Sequence, residues 1–150
     1  MHPSETVNAF LYLSAQESIP VTPQKLQQLV YCFYREYLKA SGKKAFDESF
    51  VKGENGPFLE SVNNRFRKFG ENKITELWRN KDGSAELIDV RAKGFQSVKI
   101  LLYVWRVYKK TPVNRVQELL TQKGSAWEKA DIVLTDKDVQ KESSSMQIIR

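Results

Sequence analysis

Apolar side chains recur along residues 22–42 at the spacing of one helical face. The stripe consists of Leu26, Leu29, Val30, Phe33 and Tyr37, at offsets of 3, 4, 7 and 11 positions from the first. Thr22 and Pro23 precede it as an N-cap and a first helical residue whose missing N–H costs nothing. Gly42 is typical of the left-handed residue that follows a helix. The pattern therefore predicts one long helix between these signals.

Two further stripes predict helices on either side of this one. Ser4 can cap a helix over residues 5–17, and Pro57 stands at the start of another helix that Gly70 closes. The two stripes are Val7, Phe10 and Leu11 with either Leu13 or Ala15, and Leu59, Val62, Phe66 and Phe69. The turn GENGP at 53–57 is interpreted as structural, with a positive φ at Gly56 and a chain direction fixed by Pro57.

The second half of the chain predicts three more helices. The first covers about residues 95–109, and Thr111 with Pro112 repeats the cap-and-proline signal before a helix that ends at Gly124. The inward-facing side chains of the first are Phe95, Val98, Leu101, Leu102, Trp105 and Tyr108. Trp127 and Ala130 predict a short final helix packed on the body.

Residues 73–90 carry a weaker pattern. Apolar and polar residues alternate loosely around the NKDG stretch, which is typical of a small β-hairpin. A frayed helix followed by a loop is the competing interpretation. The predicted fold is thus mainly α, a compact multi-helix single domain over residues 1–135, with a small hairpin at 73–90 as an option. The polar residues 136–150 are predicted to form a partly mobile C-terminal extension.

Composition narrows the chemistry. The 150 residues contain one cysteine, Cys32, and one histidine, His2, so histidine triads and cysteine-based or multi-histidine metal sites are not expected. The carboxylates are scattered between basic residues, and we expect neither an enzyme nor a cofactor. The chain has no apolar run of about 18 residues and no basic-then-apolar start, which predicts a cytoplasmic protein without membrane contact.

Three stretches resemble one family, the Panacea domain, whose members are also described as SocA-like antitoxins and phage-associated proteins. They are TPQKLQQLVYCFYREYLKASGKKAFDE at 22–48, GENGPFLESVNNRFRKFG at 53–70 and TPVNRVQELLTQKGSAWEKA at 111–130. The positions that resemble the family pattern are Thr22, Pro23, Leu26, Leu29, Tyr31, Gly56, Pro57, Trp127 and Ala130. The order and spacing of the three stretches carry the resemblance.

The chain departs from the family pattern at several places. Phe50 and Val51 stand where the family often has a tryptophan, and Gln122 stands where it often has a histidine. Ala126 replaces the proline that tends to precede the closing tryptophan. Any chemistry that depends on that histidine is therefore absent here.

The resemblance implies an antitoxin-like protein of phage or mobile-element type. Such a protein would bind a cognate toxin, encoded by a neighbouring gene, and neutralise it by direct protein–protein contact. In the founding member the antitoxin also delivers its toxin to a protease, so a protease is a further implied partner. The adaptor role transfers less readily than the binding role, because it depends on a particular toxin and protease.

A protein of phage origin that intercepts a host factor would use the same kind of contact with a different partner, and a DNA-binding regulator is the alternative of another class. The formal charge is +6, and residues 95–123 could form a helix-turn-helix-like pair that presents Arg106, Lys109, Lys110 and Arg115 to phosphates. However, the second helix offers few side chains suited to reading bases. For the antitoxin-like function, off-stripe tyrosines and neighbouring arginines are candidate partner contacts, since both residue types are favoured at interface hot spots. These candidates are Tyr12, Tyr34, Arg35, Tyr103, Arg106 and Tyr108.

Overall fold

The computed structural model of the protein describes residues 1–92 and 94–143, and these form a mainly α-helical domain, as predicted. The elements are α1 (Pro3–Glu17), α2 (Pro23–Ser41), β1 (Val51–Gly53), β2 (Gly56–Phe58), α3 (Glu60–Phe66), a 3-10 turn (Arg67–Phe69), α4 (Gln96–Tyr108), α5 (Val113–Thr121), α6 (Ala126–Lys129) and α7 (Asp136–Lys141). None of the helices in the described part of the chain combines the length and apolarity that a bilayer crossing requires.

Helix α2 forms the centre of the domain. It packs against α1, α3, α4, α5, α7 and β2, so the other elements enclose it. Its apolar stripe is joined in the core by residues from other faces of the helix, including Tyr31 and Cys32, which are fully buried. Burial raises the pKa of the Cys32 thiol to about 11, so this cysteine serves as a small hydrophobe.

The ends of α2 confirm the predicted signals. The Thr22 hydroxyl accepts a hydrogen bond from the Lys25 N–H at 3.2 Å, and Pro23 is the first helical residue. Gly42 has a φ of 73° and donates its N–H to the Leu38 carbonyl at 2.9 Å. These two devices satisfy helix-end groups that would otherwise lack partners.

Two other predicted helix starts are wrong. Helix α1 begins at Pro3, and His2, not Ser4, is its cap: the ring Nδ1 accepts the Ser4 N–H while Glu5 accepts the His2 N–H. Ser4 is itself inside the first turn. Pro112 is the residue that precedes α5, because the Thr111 hydroxyl donates back to the Val107 carbonyl at 3.1 Å instead of capping.

The hairpin lies at residues 51–58 and not at 73–90. Residues 73–90 contain no strand, because the buried Asn8 side chain takes the backbone groups that a hairpin would pair. Its amide donates to the Trp78 and Glu86 carbonyls at 2.9 and 2.8 Å and accepts the Trp78 N–H at 2.7 Å. Pro57 therefore belongs to β2, and helix α3 starts three residues later than predicted.

The C-terminal extension begins with an ordered element. Residues 136–141 form α7, whose Val139 is 1% exposed, and α7 packs on α2 and α6. Tyr34 donates its hydroxyl proton to the Asp136 carboxylate at 2.7 Å, which fixes the start of the helix. The predicted mobility of the extension falls partly on residues 144–150, which lie outside the described residues.

One buried cation joins α2 to the turn between α4 and α5. Lys25 is 6% exposed, and its ammonium donates to the Thr111 carbonyl. Burial lowers the pKa of the Lys25 amine from 10.5 to about 8. The charged form is therefore less favourable in the folded chain than in the unfolded chain.

Replacing this lysine should change the pH dependence of stability. Between about pH 8 and pH 10.5 the unfolded chain binds more protons at Lys25 than the folded chain does, so stability rises with pH across this window. Relative to Lys25→Met, the wild type should gain free energy of unfolding over the same window. Urea unfolding of both proteins measures the difference, in which the titration of shared tyrosines cancels. The exposed Lys99→Met is the control, and a difference that stays constant with pH would contradict the prediction.

Candidate functional site

The GENGP turn joins β1 to β2 in a tight antiparallel hairpin. Val51 pairs with Phe58, Lys52 with Pro57 and Gly53 with Gly56. Gly56 has a φ of 130°, as the sequence predicted, and this conformation disfavours any side chain. Gly53 is required for another reason, since a Cβ there would lie 2.4 Å from the Phe58 ring and 2.7 Å from the Gly56 carbonyl oxygen. The turn is thus built around two glycines with different roles.

Trp127 and Ala130 hold this hairpin on the body. The indole N–H of Trp127 donates to the Gly53 carbonyl at 2.7 Å. The Lys52 ammonium lies 4.7 Å from the centre of the Trp127 ring and donates to the Ala130 carbonyl at 3.0 Å. The closing tryptophan and alanine of the family pattern therefore meet the Gly-Pro turn in one structural unit. We call residues 50–58 with 126–134 the hairpin unit.

The hairpin unit has an exposed edge. The Lys52 N–H donates to the Ile132 carbonyl at 2.7 Å, and the Leu134 N–H donates to the Phe50 carbonyl at 2.9 Å. Val133 bridges Val51 between these two bonds, so residues 132–134 extend the hairpin by a third short strand. Ile132 and Val133 are 73% and 46% exposed, while Leu134 is buried. We call Ile132 and Val133, with their outward backbone, the apolar edge.

The other side of the hairpin faces α2 across a small cavity. The Gln27 side chain donates to the Leu59 carbonyl at 3.0 Å and accepts the Leu59 N–H at 2.9 Å, which ties the start of α3 to α2. Beside it is a cavity of about 250 Å³. Its lining includes Pro23, Gly56 and Pro57, so three of the family positions share one wall.

The remaining family positions are structural. Leu26, Leu29 and Tyr31 are 0% exposed, and Thr22 caps α2. Burial raises the pKa of the Tyr31 hydroxyl well above its usual range, and the charge of Glu142 acts in the same direction. This group therefore fixes the central helix, while Gly56, Pro57, Trp127 and Ala130 shape the hairpin unit.

Three predicted partner contacts lie in the interior. Tyr34, Arg35 and Tyr108 are 3%, 6% and 7% exposed, so they are not available to a partner in this conformation. Arg35 donates to the Glu142 carboxylate at 3.1 Å, and its other guanidinium nitrogen lies 3.4 Å from the Tyr108 hydroxyl. Their prediction as surface contacts is wrong. Tyr34 and Arg35 are buried because α2 is enclosed around its circumference, and Tyr108 is buried because it faces Arg35 from α4.

The other predicted contacts are at the surface. Tyr12 is 39% exposed on α1 and lines a wide groove of about 680 Å³ beside residues 73–77. Tyr103 and Arg106 lie one turn apart on α4, with the guanidinium carbon 5.4 Å from the ring centre. These residues remain candidates for contact with a partner.

Several basic residues in and next to α4 and α5 form ion pairs with carboxylates of the same chain. Lys109 pairs with Glu17 at 2.6 Å, and Arg115 pairs with Glu118 at 3.4 Å. Hydrogen bonds from Lys109 and Trp105 lower the pKa of Glu17, so its carboxylate stays charged. Arg106 covers Tyr103, while Lys110 is exposed. A phosphate would have to compete with these carboxylates, which weakens the DNA-binding alternative.

The side chains of the described residues do not form a metal site. Over 1–92 and 94–143, no three histidine, cysteine, aspartate or glutamate side chains are grouped so that they could hold a metal ion.

No family model, curated protein or solved structure matches the chain. The resemblance to the Panacea domain therefore stays a prediction from the sequence motifs.

The sequence reasoning missed the residues that assemble the hairpin unit. Lys52 and Gln27 act on groups 78 and 32 positions away, and a long-range side-chain contact leaves no periodic signal. The apolar pair Ile132–Val133 in the stretch ADIVLTD is visible as a short β-type run, and it is the one signal that could have been used.

Gly53→Ala should destabilise the fold by about 1–3 kcal/mol, the usual cost of forcing extra volume into a packed site. The new methyl group would meet backbone oxygen and a ring that is held in β2. Gly94→Ala is the matched control, since a Cβ there meets nothing within 4 Å. Chemical denaturation of the two variants and the wild type measures the effect. Equal stability of the two variants would refute the steric role of Gly53.

Proposed function

We propose that the protein is an antitoxin-like protein that binds a cognate toxin by direct protein–protein contact and thereby neutralises it. The proposal rests on the sequence resemblance and on one structural observation, the apolar edge of the hairpin unit. A cytoplasmic setting and an origin in a phage or mobile element belong to the same proposal. Delivery of the bound toxin to a protease would be an additional role of the same protein.

The apolar edge has the properties of a binding surface. Ile132 and Val133 are neighbours that both expose apolar side chains, whereas an isolated exposed hydrophobe needs no explanation. Among the described residues, the Val133 N–H and carbonyl have no hydrogen-bond partner. Edges of this kind can accept an added strand, in which main-chain bonds give affinity and side-chain pockets give specificity.

The edge is also rigidly held, which favours binding. Lys52, Trp127 and Leu134 fix it to β1 and to the body through the hydrogen bonds described above. A preorganised surface loses little conformational entropy when a partner docks. An extended segment of the toxin, with apolar side chains at alternate positions, fits this edge best.

A nuclease-treated pull-down from native cells separates the two candidate functions. One stoichiometric protein partner that survives high salt supports the antitoxin-like function. Nucleic acid recovered only in an untreated, low-salt sample would support the DNA-binding regulator instead, because phosphate contacts weaken steeply with salt.

Charging the apolar edge should abolish neutralisation. In a host that expresses the co-purified partner, Ile132→Glu with Val133→Glu should fail to restore growth, because two carboxylates would be buried without partners. The control is Phe95→Glu, outside the hairpin unit. Phe95 is 67% exposed, so its predicted inward orientation is wrong, because it precedes α4 as the N-cap residue. Both proteins should unfold at nearly the wild-type temperature. Full protection by the double variant would overturn the assignment of this edge.

A further inference from the structure

A carboxylate from the C-terminal segment lies inside a polar cluster next to α2. Glu142 follows α7, and its side chain is 8% exposed. One carboxylate oxygen accepts from the Arg35 guanidinium at 3.1 Å, and the other accepts from the Ala126 N–H at 2.8 Å. The Glu142 carboxylate is thus bound by a buried cation and a backbone amide at once.

These are the donors that would also bind a carboxylate from outside the chain. A guanidinium and an oriented backbone amide form charge-assisted hydrogen bonds, which are stronger than neutral ones. Glu36 lies 3.6 Å from the Nε atom of Arg35, so it balances part of the charge from a different side. Glu142 contacts the Nη1 atom instead, and this is the edge of the guanidinium that a ligand would take.

Space for the rest of a ligand lies beside the cluster. A cavity of about 190 Å³ is lined by Arg35, Tyr108, Gln122, Lys123, Lys141 and Glu142, among others. Lys123 and Lys141 are exposed and stand on two different chain segments. Their positive charges favour a ligand with a second anionic group, and the volume restricts it to a small molecule.

The segment that carries Glu142 is held mainly by polar contacts. Helix α7 has six residues and one buried side chain, Val139. Polar contacts supply the rest: Tyr34 binds Asp136, and the Lys39 ammonium donates to the carbonyls of Gln140 and Glu142 at 2.8 and 2.6 Å. A helix this short is not stable alone, and segments with so little apolar burial open at low cost.

We propose that Arg35, the Ala126 amide and the neighbouring cavity form a binding site for a small dicarboxylate, which Glu142 fills in cis. The ligand enters when residues 135–143 move away, so ligand and segment compete for one site. This inference does not depend on the proposed antitoxin-like function.

The test is chemical rescue in the full chain. Glu142→Ala removes the internal carboxylate and should lower the melting temperature. Succinate should then raise the melting temperature of this variant saturably, since a ligand that binds only the folded state stabilises it. The apparent affinity should be at least roughly tenfold tighter than for the wild type, where Glu142 competes at the high effective concentration of a tethered group.

Three controls distinguish specific succinate binding from a general effect of salt on stability. Glu48→Ala removes another carboxylate that accepts a backbone amide, that of Ser61 at 3.0 Å, but this carboxylate pairs with no guanidinium within residues 1–92 and 94–143. Succinate should not rescue this variant. Phosphate and chloride at matched ionic strength should give Glu142→Ala less than half of the succinate effect. Equal shifts in all variants, or no shift in Glu142→Ala, would overturn the site.

Hydrogen exchange of the wild type tests the competition directly and does not require the variant to fold. Succinate at high concentration should speed amide exchange in residues 136–141 at least about threefold, because it replaces Glu142 and releases α7. Exchange in α2 should not change. Unchanged exchange in α7 would show that no carboxylate competes with Glu142.

Discussion

The enclosure of α2 is the constraint on which the rest of the structure depends. A helix that is buried around its circumference must be covered on every side, and here five helices and β2 provide the cover. The helix is not wholly apolar: Gln28, Arg35 and Glu36 are also buried. Because a buried polar group needs a partner, Gln28 and Arg35 each bind a neighbouring segment, while Glu36 lies beside Arg35 on the same helix. Gln28, for example, donates to the Val113 carbonyl at the start of α5.

The same constraint explains how two irregular regions become ordered. Gln27 binds the backbone of Leu59 where the hairpin meets α3, while Lys39 and Arg35 bind the segment around Glu142. These bonds add to apolar packing, in which Phe50 of the hairpin unit contacts the Tyr31 and Tyr34 rings of α2 and Val139 of α7 is buried. Polar and apolar side chains of α2 thus together determine where the hairpin unit and the C-terminal segment lie.

Local signals in the sequence correctly predicted features that depend only on neighbouring residues, such as helix caps and backbone conformation. Thr22 and Gly42 mark the ends of α2 and Gly56 has a positive φ, because capping and backbone sterics involve only a few adjacent residues. The conformation of the loop at 73–90 could not be predicted from local signals, since Asn8, some 70 positions earlier, determines its backbone hydrogen bonding. Burial of Tyr34 and Arg35 was missed for a related reason. A single apolar stripe predicts a helix with one solvent-exposed face, whereas α2 is covered by its neighbours on the opposite face as well.

Helix α6 joins the two candidate sites. Its first residue, Ala126, donates its N–H to Glu142, and the next residue, Trp127, donates its indole N–H to Gly53. A ligand carboxylate that replaces Glu142 would keep the Ala126 amide bonded, so α6 and the Trp127 anchor would stay in place. Leu134, buried and bonded to Phe50, separates the apolar edge from the segment that would move. Occupation of the proposed carboxylate site would therefore leave the apolar edge intact, and we expect the two proposed surfaces to bind their ligands independently.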